Sequence, residues 1–216
     1  MIFHDWTLYR KKAGPTFLEY IESSWNQLVD TGFTFTDDMA IEMIFSIPNF
    51  QTAGYLLGGE VFGSENGGAA VCFSNNDENV FVVAGGDDYI YFDTVIVQAQ
   101  IYKITLEDNG DPQAPYNTKR VSLYMGDGSD PLEFQFATYT SPYNSVILFG
   151  VRYETSYAPG CMRLYSLKLS SAELGYSRTY LPCLDPDGTP CLYIEETGEY
   201  LYDFIGQTGF IAGPEL

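Results

Sequence analysis

Short stretches of alternating hydrophobic and polar residues recur along the chain of 216 residues. A period of two is typical of a strand with one buried face, so the pattern predicts strands. Only Ser170–Leu174 is a candidate helix, a short one that Ser171 would cap. The clearest alternating stretches are Met39–Ile47, Val80–Ala84, Val95–Leu106, Val121–Tyr124, Leu132–Ala137, Val146–Tyr153 and Cys161–Leu169.

Clusters of Gly, Asn and Asp separate these stretches. Two of them, residues 108–111 and residues 126–130, contain residue types that adopt positive φ or hydrogen-bond their own backbone. Regularly spaced strands with such turns predict an all-β fold, a two-sheet antiparallel β-sandwich, rather than βαβ units. No internal repeat or low-complexity linker interrupts the pattern, so we predict one domain over residues 17–216.

Residues 1–16 differ from the rest and are predicted to form an N-terminal arm that ends at Gly14-Pro15. The arm could dock on a partner or sister subunit by adding a strand to an exposed edge, or be a leading strand packed on its own domain. It contains three of the ten basic residues, Arg10, Lys11 and Lys12. Its candidate docking side chains are Phe3, Trp6 and Tyr9.

Blocks near the two ends of the chain carry a family resemblance. The first is Phe17–Phe33; the second comprises Met162–Leu169, Tyr180–Cys183, Pro190–Tyr193 and Gly206–Gly213. Together they resemble the laminin-G-like, concanavalin A-like lectin jelly-roll domains of phage virion and gut-bacterial surface proteins. The resemblance covers roughly residues 17–213 and implies a jelly-roll β-sandwich. It names no ligand.

The resemblance also implies roles for single residues. Gln27 and Asp30 match positions that we expect to be structural, with Asp30 accepting turn amides ahead of Gly32. Arg163 matches a strand position at which a half-buried arginine typically crosses the sheet. Trp25 departs from the family pattern, which has glycine there. The indole is either a contact surface for a ligand or subunit, or a lid on the end of the sandwich.

The chain contains 18 Tyr and 15 Phe, more than core filling usually needs. Strand propensity explains part of this excess. The sharper interpretation is that some rings stack on sugars while polar groups bind the hydroxyls, as in lectins of this sandwich type. Residues 139–144 are the densest such segment, although they could equally form a rigid turn with packed rings. The candidate platform residues are Trp25, Tyr55, Tyr89, Tyr91, Tyr139, Tyr143, Asn144 and Tyr157.

The formal net charge is −19, from 29 acidic and 10 basic residues. A phosphate backbone requires clustered Lys and Arg, so the charge argues against nucleic acid and anionic membranes as partners. Acidic loops can instead hold calcium, the one candidate cofactor, or be solvated turns. The candidate calcium ligands are Asp87, Asp88, Asp127 and Asp130.

Catalysis is not predicted. The single histidine, His4, lies in the arm, and no strand carries the paired carboxylates of the related jelly-roll glucanases. Residues 195–199, which include three Glu, are better interpreted as a solvated hairpin turn.

The four cysteines, Cys72, Cys161, Cys183 and Cys191, lack the spacing of a zinc site. Cys183 and Cys191 flank a turn and could meet across a hairpin. Residues 1–6 lack the pattern of a secretory signal. We therefore expect synthesis in a host cytoplasm, reduced thiols and a final location on the surface of a virion.

These observations lead to a functional hypothesis: a non-enzymatic adhesion or decoration module of a phage or prophage virion that binds cell-surface or mucosal glycans. Other virion subunits and a homo-oligomer are the expected protein partners. Two alternatives stay open, because one fold hosts many functions. One is a purely structural virion assembly protein that binds no sugar. The other is a glycoside hydrolase with a non-standard carboxylate pair.

Overall fold

The computed structural model describes residues 14–34, 36, 38–49, 54–59, 69–74, 80–85, 88–92, 96–108, 118–126, 128–137, 145–153, 156–205 and 209–216. In these residues the chain forms strands and no helix. The first ten strands are β1 (Thr16–Phe17), β2 (Ile21–Glu22), β3 (Val29–Thr34), β4 (Ala40–Ser46), β5 (Gly54–Gly58), β6 (Ala69–Ser74), β7 (Val80–Gly85), β8 (Asp88–Tyr91), β9 (Ile101–Asp108) and β10 (Thr118–Tyr124). The others are β11 (Leu132–Ala137), β12 (Ser145–Leu148), β13 (Gly150–Tyr153), β14 (Ser156–Pro159), β15 (Arg163–Ser171), β16 (Tyr176–Leu184), β17 (Pro190–Ile194), β18 (Tyr200–Leu201) and β19 (Ile211–Ala212).

The strands form two main antiparallel sheets and one hairpin. The larger sheet has the order β11-β10-β9-β4-β15-β16-β17-β18; in addition, β1 pairs with β16, and β2 pairs with β15 and β19. The second sheet has the order β3-β12-β5-β6-β7-β8, and β13 pairs with β14. The predicted all-β, two-sheet antiparallel β-sandwich is therefore confirmed.

The core lies between the two sheets and follows from strand alternation. In β4, Ile41, Met43 and Phe45 are buried, whereas the residues between them are only half-buried on the outer face. Rings from the two sheets meet directly: Phe33 of β3 contacts Tyr176 of β16, with centroids 4.3 Å apart. Burying each large apolar side chain contributes about 1.5–3 kcal/mol, so this interface stabilises the sandwich.

Two predicted strands are wrong in extent. Within Val95–Leu106 the strand begins only at Ile101, because residues 98–99 form a turn in which Ala99 has a φ of 61°. Val146–Tyr153 is divided between two sheets, because Phe149 has a φ of 62° and ends β12 before β13 begins. Alternation alone does not locate such breaks, since apolar residues stand on both sides of each of them.

The predicted short helix over Ser170–Leu174 is also wrong. β15 extends to Ser171, and residues 172–175 form a tight turn into the antiparallel β16. The expected cap is nevertheless present, because the amide of Leu174 donates to Ser171 Oγ at 3.1 Å. A four-residue connection between paired strands leaves no length for a helix to propagate.

The carboxylate of Asp38 stabilises this turn by accepting hydrogen bonds. Its Oδ2 accepts the amide of Glu173 at 2.7 Å, and its Oδ1 accepts the hydroxyls of Ser171 at 2.7 Å and Thr36 at 2.8 Å. Burial alone would raise the pKa of Asp38, but these hydrogen bonds outweigh it and lower the pKa to about 2. The charged carboxylate is therefore the form that the fold stabilises.

Acid should weaken the fold through Asp38. Its unfolded pKa is about 3.9, so the stabilisation is fully present above that value and is lost as the pH falls toward about 2. In urea unfolding, the free-energy difference between wild type and Asp38→Asn should narrow over this window. A difference that stays constant between about pH 5 and about pH 2 would contradict this assignment.

Candidate functional site

The two ends of the described chain meet at one end of the sandwich. The loop between β2 and β3 lies beside the segment that follows β18. The amide of Leu28 donates to Asp203 Oδ1 at 3.0 Å, and the amide of Phe204 donates to the carbonyl of Leu28 at 3.0 Å. Asp203 Oδ1 also accepts the amide of Ile205 at 3.0 Å. This carboxylate therefore fixes the position of Phe204 relative to the loop.

Buried polar side chains hold the same loop from inside. The amide of Ser24 donates to Gln27 Oε1 at 2.7 Å, and Gln27 Nε2 donates to the carbonyl of Gly209 at 2.9 Å. Ser23 Oγ donates to the carbonyl of Gly160 at 2.7 Å. A buried polar group left unpaired costs about 1–3 kcal/mol, so these bonds restrict the loop to this conformation.

The structural roles implied by the resemblance are confirmed for Asp30 and Arg163. Asp30 Oδ1 accepts the amide of Gly32 at 2.9 Å. Arg163 is half-buried, and its Nε lies 2.6 Å from Glu22 Oε2. Its guanidinium also lies 4.7 Å from the centre of the Tyr20 ring. Hydrogen bonding to Glu22 raises the pKa of Arg163, and the ion pair joins β15 to β2.

Trp25 has a backbone conformation that favours glycine. Its φ is 77°, in the left-handed region, which matches the glycine of the family pattern. The half-buried indole packs on Gly54, where an added Cβ would come within 2.8 Å of Trp25 Cζ3 and 3.0 Å of the Gly160 Cα. The indole therefore packs on Gly54, and part of the ring stays exposed.

Tyr157 and Phe204 form an aromatic pair beside this loop. Their ring centroids lie 5.2 Å apart in an edge-to-face arrangement with an interplanar angle of 69°. Tyr157 is 41% exposed and Phe204 is 43% exposed, so each ring keeps a free surface. The pair comes from two segments distant in sequence, β14 and the turn after β18.

Two glycines position the β13–β14 hairpin that carries Tyr157. A Cβ added at Gly160 would collide with the carbonyl oxygen of Tyr55 in β5. A Cβ added at Gly150 would lie 2.6 Å from the carbonyl oxygen of Ala158. The chain at the end of the hairpin can therefore approach β5 closely because Gly160 lacks a side chain, and β13 can approach β14 closely because Gly150 lacks one.

The structure describes some of the predicted site residues and not others. Trp25 and Tyr157 lie at the same end of the sandwich. Tyr55 is half-buried in β5, whereas Asp88, Tyr89 and Tyr91 lie in β8, and Asp130 is exposed in the loop before β11. The other predictions lie outside the described residues: Tyr139, Tyr143, Asn144, Asp87, Asp127, Phe3, Trp6 and Tyr9. They stay predictions.

The sequence analysis does not identify Phe204. The sequence signal available for Phe204 is an aromatic residue directly after Asp203, just before the last block that carries the resemblance, Gly206–Gly213. Nothing in that pattern distinguishes an exposed ring from a packed one. The contact with Tyr157 depends on β14, which lies more than forty residues earlier in the chain.

The outer face of the larger sheet carries a charge-balanced polar surface. Lys103 Nζ lies 2.8 Å from Glu42 Oε2, and Arg120 Nη2 lies 2.9 Å from Glu107 Oε1. A shallow depression of about 180 Å³ lies between β4, β9 and β15, lined by the polar residues Glu42, Thr105, Glu107, Lys168 and Ser170. The two carboxylates that line this depression, Glu42 and Glu107, are therefore each paired with a cation.

Within the described ranges, no group of three or more His, Cys, Asp or Glu side chains is arranged to hold a metal ion. Nor does that part of the chain contain a helix long and apolar enough to cross a membrane. Residues 195–197 form the predicted turn between β17 and β18, and Glu195 and Glu196 are exposed there.

No protein-family model matches the chain, and no curated protein matches its sequence. Several solved β-sandwich structures are similar to it. The enzymatically active domain of tailspike protein 2 from bacteriophage CBA120 matches with a TM-score of 0.48 and 10% identity over 74% of this chain, which spans only 29% of that chain.

Two further structures match at a similar level. The Ruminococcus gnavus IT-sialidase CBM40 bound to alpha2,3 sialyllactose has a TM-score of 0.45 and 11% identity, covering 68% of this chain and 89% of that one. Scytalido-glutamic peptidase has a TM-score of 0.41 and 9% identity, covering 91% of this chain and 100% of that one. Likeness at this level concerns the sandwich architecture and assigns no activity to this chain.

Two substitutions at Trp25 separate the backbone effect from the ring contact. Both Trp25→Gly and Trp25→Ala lose the packing on Gly54, but only alanine keeps a side chain in the left-handed conformation. We expect Trp25→Ala to be less stable than Trp25→Gly by about 1 kcal/mol in urea unfolding. Equal stabilities would mean that the loop does not hold a positive φ at this position.

Proposed function

We propose that this domain is a non-enzymatic glycan-binding module and that Tyr157 and Phe204 form its sugar platform. The observation that carries the proposal is a pair of contacting aromatic rings, each about two-fifths exposed. Rings of this kind bury large areas at low entropy cost, and they can cover the apolar face of a sugar.

The backbone that carries the Tyr157–Phe204 pair is held in place before any ligand binds, and this favours recognition. Asp203 and Leu28 hold the backbone at Phe204, while the close approach at Gly160 positions the strand of Tyr157. Preorganised groups lose less conformational entropy on binding. The exposed residues Ser24 and Asn26 of the neighbouring loop supply hydroxyl and amide groups for sugar hydroxyls.

The charge of the chain narrows the ligand class. With a net charge of −19, the protein repels anionic ligands at long range unless a local cation compensates. Lys103, Arg120 and Arg163 are each paired with a glutamate, whereas Arg152 is the strand partner of Tyr157. On net charge alone we favour neutral glycans over sialylated or sulfated ones.

We place this activity, in line with the sequence resemblance, on the surface of a phage or prophage virion. Residues 1–16 would then attach the domain to another virion subunit. A second function fits the same aromatic pair, because exposed apolar surface also marks subunit interfaces. In that case the pair would bury itself against a second protein chain and bind no sugar.

Substitution of the platform should abolish sugar binding. The purified protein would be screened on an array of neutral and acidic bacterial and mucin glycans, with calcium and with a chelator. For a glycan that binds, Tyr157→Ala and Phe204→Ala should each weaken the affinity at least about tenfold, or 1.4 kcal/mol, in calorimetric titration. The matched control is Tyr124→Ala, since Tyr124 is 36% exposed at the end of β10, away from the platform.

The possible outcomes distinguish glycan binding from an assembly role. Unchanged affinity in both platform variants would contradict the assigned site. A silent array together with an oligomer that dissociates in the same variants would favour the assembly role. Binding that requires calcium would direct attention to the predicted ligands Asp87, Asp88, Asp127 and Asp130.

A further inference from the structure

Cys183 and Cys191 face each other directly across the β16–β17 hairpin. They are partners in the strand register, and their sulfur atoms lie 3.5 Å apart. Both residues are free cysteines and both are fully buried. The predicted meeting of these two residues across a hairpin is confirmed, and the glycan-binding proposal makes no use of it.

The backbone at this position can accept a disulfide. Directly opposed residues in an antiparallel pair have Cα atoms about 4.5 or about 5.5 Å apart, depending on the type of pair. Both spacings lie within the range of about 4.4–6.8 Å found for disulfides. The sulfur atoms need to approach by about 1.5 Å to reach bonding distance, a movement that side-chain rotation can supply.

Aromatic rings roof the two thiols. Phe17 on β1 and Tyr193 on β17 lie on opposite sides of β16, yet their ring centroids are only 5.9 Å apart. Strands that flank a common neighbour are about 9.6 Å apart, so the rings must meet over β16. Since Phe17 is in register with Cys183, the rings meet on the face that carries the sulfur atoms. Tyr200 extends this roof, 5.4 Å from Tyr193.

The two thiols also interact with each other, and either sulfur can donate the hydrogen bond between them. This bond lowers the pKa of Cys183, and together with burial it raises the pKa of Cys191. Burial raises the pKa of the third buried thiol, Cys161, to about 11.

We propose that Cys183 and Cys191 form a redox pair that closes to an intramolecular disulfide when hydrogen peroxide reaches it. The Cys183 sulfur attacks one peroxide oxygen, the O–O bond breaks, and a sulfenic acid and water result. The Cys191 sulfur then attacks the Cys183 sulfur, the S–O bond breaks, and a second water leaves. Two thiols and one peroxide give one disulfide and two waters, with two electrons passing from sulfur to oxygen.

The disulfide would fix a specific part of the molecule. It would close the hairpin around the turn in which Asp185 accepts the amide of Thr189 at 2.8 Å and the hydroxyl of Tyr202 at 2.8 Å. A covalent link restricts the unfolded chain, so the oxidised protein should resist unfolding better than the dithiol. The redox proposal does not depend on the glycan-binding proposal, so it stands even if Tyr157 and Phe204 bind no glycan.

The test uses intact protein treated with hydrogen peroxide under native conditions. After unfolding in N-ethylmaleimide, mass spectrometry should show two cysteines that escape alkylation, and peptide mapping should place the link between Cys183 and Cys191. The urea midpoint should rise on oxidation and return on reduction. The Cys72→Ala/Cys161→Ala variant should form the same link, and Cys183→Ala should form none.

Three results would overturn the proposal. Full alkylation of all cysteines after peroxide treatment would show that the pair does not close. Oxygen adducts without a cross-link would show that Cys191 cannot attack, and a link involving Cys72 or Cys161 would show the wrong pairing. Removal of the roof by Phe17→Ala should speed oxidation several-fold. An unchanged rate would contradict the role of the roof.

Discussion

The structure depends on the joining of its two chain ends by hydrogen bonds. The amide of Glu19 donates to Pro214, that of Gly213 donates to Tyr20, and that of Leu28 donates to Asp203. Both ends also belong to the larger sheet, because β1 pairs with β16 and β2 pairs with β15 and β19. Since the bonded partners are far apart in sequence, each bond closes a long loop.

This junction also determines where the candidate site lies. The junction holds the loop between β2 and β3, which carries Trp25 and adjoins Phe204. The β13–β14 hairpin then brings Tyr157 into contact with Phe204. Close backbone approach at Gly160 is the second requirement. The two rings contact each other, stay partly exposed and stand on a constrained backbone, and the proposal of recognition at this end rests on that combination.

The sequence predicted the sandwich well because strand alternation and turn residues are local signals. It also predicted the roles of Asp30 and Arg163, through the resemblance. It failed at Ser170–Leu174 and Phe149, where tertiary pairing and a positive φ override local preference. The Tyr157–Phe204 contact could not be predicted, because no local pattern reveals which distant rings will meet.

The junction of the two chain ends should be part of the cooperative fold rather than a loosely attached segment. Native-state hydrogen exchange tests this directly. The amides of Leu28, Phe204 and Gly213 should exchange with the same free energy of opening as the Leu167 amide in central strand β15, because all require global unfolding. Exchange of the three junction amides at a much lower free energy, with Leu167 still protected, would contradict the account.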